Sequence, residues 1–347
     1  MKNRGDNSYR VVPQFSSAPS CVTVFTAGLQ REQPIGRNHS MKYLYADTSI
    51  WNCLCDEGVD ATALCSMLAE RGIELAIGFN VFYEMAKAFF SGTTESTGRG
   101  RQLLSYMKTY LALDVPVVKE NWALLIEEAF DADGQTALSS WFRDRSQYML
   151  AVREIDKLLN GEIGAEVATF FAARKALVQT SRKEMKDLLN SRPELKALLE
   201  NVSDAGLADF LDAQTVGSAG QFLLLGHLRK EFPNDSVTDL AQVAAKLLQS
   251  PKYRAAHVMT RLDLYLNWRC ANRGSMRSDL PDDSFHVVSA AYCNLFVTTE
   301  QDQADLARYA IEGIKTLVYP KELDFLEWLA SELDAIGAEL VARTAST

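Results

Sequence analysis

The chain has 347 residues, 47% of them hydrophobic and 23% charged, an ordinary globular balance that allows a sizeable core in one large domain or two smaller ones. A net charge of -9 with a pI of about 5.1 excludes a surface coated in positive charge for nucleic acid, although not a local basic groove. No apolar run approaches the ~18 residues of a membrane span, and Cys21 to Leu29 is too rich in Thr and Gly for a signal peptide. The six cysteines form no CxxC pair and the four histidines are scattered, which fits reduced thiols in a cytoplasmic protein better than a disulfide framework or zinc site.

Residues 1–40 mix Gly, Ser, Pro, Asn and Arg without periodicity and read as a disordered leader. Order begins at 41. Tyr43 to Ala46 is a short apolar strand that ends on Asp47, followed by Thr48, Ser49 and a helix. Ala61 to Arg71 is a second helix, closed by Gly72 where a left-handed cap is wanted. Ile73 to Gly78 is a strand, and Phe79 to Phe90 is a helix whose Phe82, Met85 and Phe89 recur at helical spacing, with Glu84 beside them. A helix from Arg99 to Leu113 leads to Val115-Pro-Val-Val118, a strand that its proline assigns to an edge. Asn121 to Phe130 is helical again.

Strands alternating with helices indicate an α/β fold with a parallel sheet. From 131 to 260 the pattern stops and only helical segments follow, among them 141–159, 165–190, 193–202, 207–212, 221–231 and 237–248. Ser236 with Asp239 has the spacing of a capping box, and Ser250-Pro251 opens a long helix to Arg273. The alternation then resumes with a helix from Leu280 to Cys293, a strand from Leu295 to Thr299 followed by Glu300 and Asp302, a helix from 305, a strand from Lys315 to Tyr319 and a closing helix. The economical organisation is one α/β domain in two parts, 41–130 and 261–347, interrupted by a helical insertion over 131–260.

In open parallel sheets, ligands bind at the carboxyl ends of strands. Asp47 and Glu300 follow strands, Glu84 lies one turn into the helix after the second strand, and Asp283 opens the helix before the fourth. Two charges ~4 Å apart repel by roughly 4 kcal/mol at an effective dielectric of 20, so stability alone would not gather four carboxylates. Divalent cations would relieve the repulsion, and oxygen-only ligands suit Mg2+ or Mn2+ rather than zinc. Such ions activate water and stabilise the oxyanions of a phosphodiester displacement. The simpler roles are a helix cap for Asp47, a solvated pair with Lys87 for Glu84, a dipole-favoured helix start for Asp283, a charged loop for Glu300 and Asp302, and a structural hydrogen bond for His286.

The strand ending in Asp47-Thr48-Ser49, Glu84 in its helix, Asp283-Ser-Phe-His-Val-Val-Ser-Ala-Ala291 and Phe296-Val-Thr-Thr-Glu300, in this order, resemble the PIN-domain ribonucleases. The resemblance covers about 41–130 and 260–320. It implies a PIN-like three-layer fold around a parallel sheet of about five strands and a metal-dependent endoribonuclease, a hydrolase that leaves 5′-phosphate and 3′-hydroxyl ends. Asp47, Glu84, Asp283 and Glu300 would be the catalytic, metal-binding acids, with Mg2+ or Mn2+ as cofactor and Thr48, Ser49 and Thr298 as polar supports. The fourth acid of the family is more often Asp, so Asp302 competes with Glu300, and Asp282 stands beside Asp283.

The biological setting such nucleases suggest is a toxin–antitoxin or phage-defence system, with RNA as substrate, an antitoxin or regulatory protein as partner, homodimerisation and no membrane. A DNA-directed nuclease and a non-catalytic PIN-like module that binds nucleic acid or protein are the alternatives. Arg99, Arg101 and Lys108, in the helix after Glu84, are the preferred substrate-binding candidates. Arg174, Lys175, Arg182, Lys183, Lys186, Arg192 and Lys196 form a second basic stretch inside the insertion, which could grip phosphates but which a solvated helix face explains better.

Overall fold

The structure, a computed structural model, describes residues 42–90, 93–135, 193–273 and 280–345, with scattered positions between 152 and 191. The leader read at 1–40, most of the helical readings at 141–159 and 165–190, and the basic side chains from Arg174 to Arg192 lie outside the described residues. All the described residues belong to one compact unit, Asn38–Thr347.

Its centre is a five-stranded parallel sheet: β1 (Lys42–Ala46), β2 (Ile73–Gly78), β3 (Val117–Val118), β4 (Leu295–Thr298) and β5 (Lys315–Val318). The spatial order is β3-β2-β1-β4-β5, with β3 at the edge its proline requires. β1 is central. Leu44 and Tyr45, on opposite faces, are both buried, as expected of a parallel strand covered on both sides.

Strand order reverses at β1: the chain steps outward to β2 and β3, then crosses back to place β4 on the other flank of β1. Ligand crevices of open α/β sheets form outside the carboxyl ends of strands at such a reversal. Asp47 follows β1 there, and Thr298 ends β4 beside it.

The helices of the first part are α1 (Thr48–Glu57), α2 (Ala61–Ala69), α3 (Phe79–Lys87), α4 (Thr94–Leu111) and α5 (Asn121–Ala132). Gly72 takes the left-handed conformation before β2, at φ 67°. The Phe82–Met85–Phe89 stripe is buried, although a single 3-10 turn, Ala88–Phe90, replaces the last turn of helix expected there.

The crossover from β3 to β4 carries α6 (Pro193–Glu200), α7 (Leu207–Val216), α8 (Ser218–Glu231), α9 (Val237–Gln249), α10 (Arg254–Arg273) and α11 (Leu280–Ser289). No strand occurs among the described residues of 131–260. Ser236 caps α9 as its spacing suggests: Oγ accepts from Asp239 N at 3.1 Å and donates to Asp239 Oδ2 at 2.7 Å. α10 starts at Arg254 rather than Pro251 and runs unbroken through 260, so the expected insertion boundary falls inside a helix.

Leu199, Leu207 and Leu211 join the same hydrophobic core as the sheet. A satellite core gathers Leu125 and Ala129 of α5 with Leu224, Leu228, Leu240, Ala244 and Leu247. Glu128, also on α5 and wholly buried, accepts Ala255 N at 2.7 Å and Ala256 N at 2.8 Å, and the Tyr292 hydroxyl donates to it. A carboxylate from one helix thereby satisfies the open N–H groups at the start of another. The chain closes with α12 (Gln301–Ala310), β5 and α13 (Phe325–Ala345). Among the described residues no helix is long and apolar enough to cross a membrane.

Candidate functional site

Asp47 is 1% exposed at the mouth of the β1/β4 reversal. It caps α1, since Oδ1 accepts from Ile50 N at 3.0 Å and from the Ser49 hydroxyl at 2.6 Å. Oδ2 accepts from the Thr298 hydroxyl at 2.6 Å. Ser49 also accepts Thr299 N at 3.0 Å, tying the end of β4 to the start of α1. Burial pushes the Asp47 carboxyl above its ordinary value, while His286, Ser49, Thr298 and the Ile50 N–H pull it back. The helix-cap role and a place in an acidic cluster therefore coexist in one side chain.

Asp283 reaches the same network by a relay. Gln303 Nε2 donates to Asp283 Oδ1 at 2.9 Å, and Gln303 Oε1 lies 3.2 Å from the Thr298 hydroxyl that donates to Asp47. The helix before β4 thus delivers its acid to the carboxyl edge through the first turn of α12.

Glu84 arrives from α3. Its Oε2 stands 3.3 Å from His286 Nε2, and the Thr48 hydroxyl, itself 3.3 Å from that nitrogen, also hydrogen-bonds the carboxylate. Burial opposes ionisation, but the charge and hydrogen bond of His286, with Thr48 and Lys87, win and hold Glu84 at about 2. For His286 the balance is the mirror image: burial favours the neutral ring, and Glu84, Asp47 and Asp283 raise it above its usual value. His286 is 1% exposed and the Glu84 side chain 23%, so solvent reaches the cluster from the Glu84 side.

Asp47, Glu84 and Asp283 therefore meet around His286, Thr48 and Thr298. Glu300 is half-buried at the head of α12, its N–H donating to Thr298 Oγ1 at 3.0 Å. Asp302 faces a different group: Arg269 Nη2 of α10 donates to its Oδ2 at 2.9 Å.

The basic candidates lie along α4 and point elsewhere. Arg99 pairs with Asp56 and Asn52, toward the far end of α1. Arg101 donates to Leu159 O and lies 5.6 Å from the Phe89 ring centre, and Lys108 pairs with Asp156 at 2.5 Å. The structure brings none of the three to the acids.

No family model, curated protein or solved structure matches this chain. The architecture and the site are thus the only guides to its chemistry.

Three carboxylates form an oxygen-only donor set that suits Mg2+ or Mn2+. As they stand, no three Asp, Glu, His or Cys side chains among the described residues are close enough to share an ion. Asp47 and Glu84 are turned onto Thr298, Ser49 and His286 instead. The donor chemistry fits a hard cation, and its capture requires the acids to close on one another, with Asp47 exchanging a hydrogen bond for the ion.

Several contributors to this edge carry no sequence signal of their own. Tyr45 reads as a core strand residue, yet its hydroxyl lies 2.8 Å from His286 Nδ1. Asn80 donates to Phe285 O at 2.9 Å and to Ser289 Oγ at 2.8 Å, and Ser289 donates to Asn121 Oδ1 at 3.1 Å. Helical spacing is the one available hint. Asn80 and Glu84 are four apart on α3, and Asp283, His286 and Ser289 recur every three residues on α11.

Proposed function

We propose that the chain is a metal-dependent nuclease of PIN-like design, acting on RNA. One observation carries this reading. Acids from the end of β1 and from α11 share one hydrogen-bonded relay at the strand-order reversal of a parallel sheet, and Glu84 of α3 pairs beside it with His286, a ring that feels the charge of all three acids. Asp47, Glu84 and Asp283 would hold Mg2+ or Mn2+. Glu300 is the favoured fourth acid, because its N–H is tied to the Thr298 hydroxyl that donates to Asp47, whereas Asp302 pairs with Arg269 of α10.

When bound, the cation supplies water activation and neutralisation of phosphoryl oxygens. Thr298, Ser49 and the Ile50 N–H orient the Asp47 carboxylate, Gln303 orients Asp283, and Thr48 with His286 orients Glu84. The partly exposed Glu84 marks the side from which a phosphodiester would approach. Burial of the other two acids excludes bulk water from the rest of the cluster.

The test is a cleavage assay on mixed RNA and single-stranded DNA with Mn2+ or Mg2+. RNA cleavage lost on chelation and in both Asp47→Asn and Asp283→Asn supports the reading. Equal cleavage by wild type and variants refutes the site, and cleavage of DNA alone refutes the substrate. A second reading, a non-catalytic binding module, is favoured by the satisfaction of Asp47 and Glu84 within the protein itself. It predicts no Mn2+ binding by calorimetry in either wild type or Asp47→Asn.

A further inference from the structure

Tyr45, His286 and Glu84 form a directional chain. Tyr45 is wholly buried in β1 and stacks on Phe296, with ring centres 5.8 Å apart. Its hydroxyl reaches His286 Nδ1 at 2.8 Å, and the other ring nitrogen, Nε2, faces Glu84 Oε2. Gly78 leaves room for this. A Cβ there would stand 2.1 Å from the Tyr45 hydroxyl oxygen and 2.6 Å from the ring.

The partner facing each ring nitrogen points to which one carries hydrogen. A phenol keeps its proton at neutral pH. A carboxylate only accepts, so in the neutral ring the nitrogen facing Glu84, Nε2, carries the hydrogen and Nδ1 accepts from the Tyr45 hydroxyl. With a charged ring both nitrogens carry hydrogen, and Tyr45 accepts. In either state an Nε2–H faces Glu84. A histidine kept for packing alone would find a backbone carbonyl sufficient. This one directs its donor at a carboxylate that remains partly open to solvent, on a different helix.

We propose that His286 is a positioning residue of the site: oriented by Tyr45, it presents a permanent Nε2–H that fixes where the Glu84 carboxylate stands. This rests on the reading of Glu84 as a cation ligand. A glutamate side chain loses much rotamer freedom when it is fixed, and an anchored one meets the ion already placed. Partners one shell removed from a cation commonly change its affinity about 10–100-fold.

The experiment is Mn2+ calorimetry on the full chain with His286→Phe, His286→Gln, Tyr45→Phe and the double variant Tyr45→Phe/His286→Phe. His286→Phe should weaken Mn2+ binding about 10–100-fold. His286→Gln, whose amide N–H can occupy the place of Nε2–H, should recover most of that loss. Tyr45→Phe should weaken binding in the wild-type background and add nothing in His286→Phe, because its effect passes through the ring. Equal affinity of His286→Phe and wild type overturns the proposal, as does His286→Gln binding no better than His286→Phe. A wild type that binds Mn2+ and an Asp47→Asn variant that does not keep the metal reading intact whatever His286 does. A wild type that binds none removes both. One measurement needs no variant: imidazole 15N shifts of the wild type at alkaline pH should show the Nε2–H form, and an Nδ1–H form overturns the proposal.

Discussion

Glu128 gives the sharpest test of how this fold is held together. It is wholly buried on α5 and accepts the Ala255 and Ala256 N–H groups at the start of α10 and the Tyr292 hydroxyl. Glu128→Ala leaves two buried backbone donors without an acceptor and the partly buried Tyr292 hydroxyl with Lys252 O, at 3.4 Å. At about 1–3 kcal/mol per unsatisfied group, and with partial relaxation, the loss should be about 2–5 kcal/mol.

Glu128→Gln isolates the charge. Burial pushes the Glu128 carboxyl from 4.5 to about 7, outweighing the three hydrogen bonds that favour the ionised form. Its folded-state value is raised, so between about 4.5 and 7 the folded chain holds a proton that the unfolded chain has lost. The stabilisation is complete below about 4.5 and disappears as pH rises through about 7. A shift of this size corresponds to about 3 kcal/mol. Glutamine does not titrate. Urea unfolding followed by circular dichroism from about pH 4.5 to about pH 8 should therefore show the difference between variant and wild type moving by about 3 kcal/mol in favour of the variant. Parallel pH profiles for the two proteins, or a cost below about 1 kcal/mol for Glu128→Ala, would refute the reasoning.

Gly78→Ala drives a methyl group into the Tyr45 ring and should cost about 1–3 kcal/mol in urea unfolding; an unchanged midpoint counts against the close approach of Tyr45. Asp302→Asn strips the buried Arg269 guanidinium of its carboxylate and should cost about 1–3 kcal/mol. Asp305→Asn, which disturbs the exposed Arg308 pair and an exposed Gln301 hydrogen bond, should stay within about 0.5 kcal/mol, and equal effects would contradict the burial of Arg269. In α8, Gly226→Ala meets open space and should raise the thermal midpoint, whereas a Cβ at Gly220 lies 2.0 Å from Thr215 O and should lower it. A stabilising Gly220→Ala would show that α7 and α8 pack differently.

Much of the sheet is legible because its strands are short apolar runs bounded by punctuation. β1 stops at Asp47, β2 is preceded by Gly72, and Pro116 sends β3 to the edge. The acids after strands are legible for the same reason: a carboxylate ending a buried run is conspicuous. The polar groups that surround them are not. Tyr45 and Ser289 have apolar neighbours in sequence and acquire their partners only through pairings 241 and 209 residues long. The basic residues of α4 mislead in the opposite direction. Arg99, Arg101 and Lys108 are near Glu84 in sequence, but 18 residues of helix carry them along α1 to Asp56 and to the segment around Asp156 and Leu159. Nearness along the chain says little about direction once a long helix intervenes.

The position of β1 between β2 and β4 also imposes an order of events on a chain emerging from the ribosome. β1, β2 and β3 can pair as soon as residue 118 is out, but one flank of β1 then exposes unpaired N–H and C=O groups until 295–298 follow. Asp47 and Glu84 are present throughout that interval. Asp283, Thr298 and Gln303 are not. Whatever reaction this edge supports, a nascent chain lacks it until most of its length has been made.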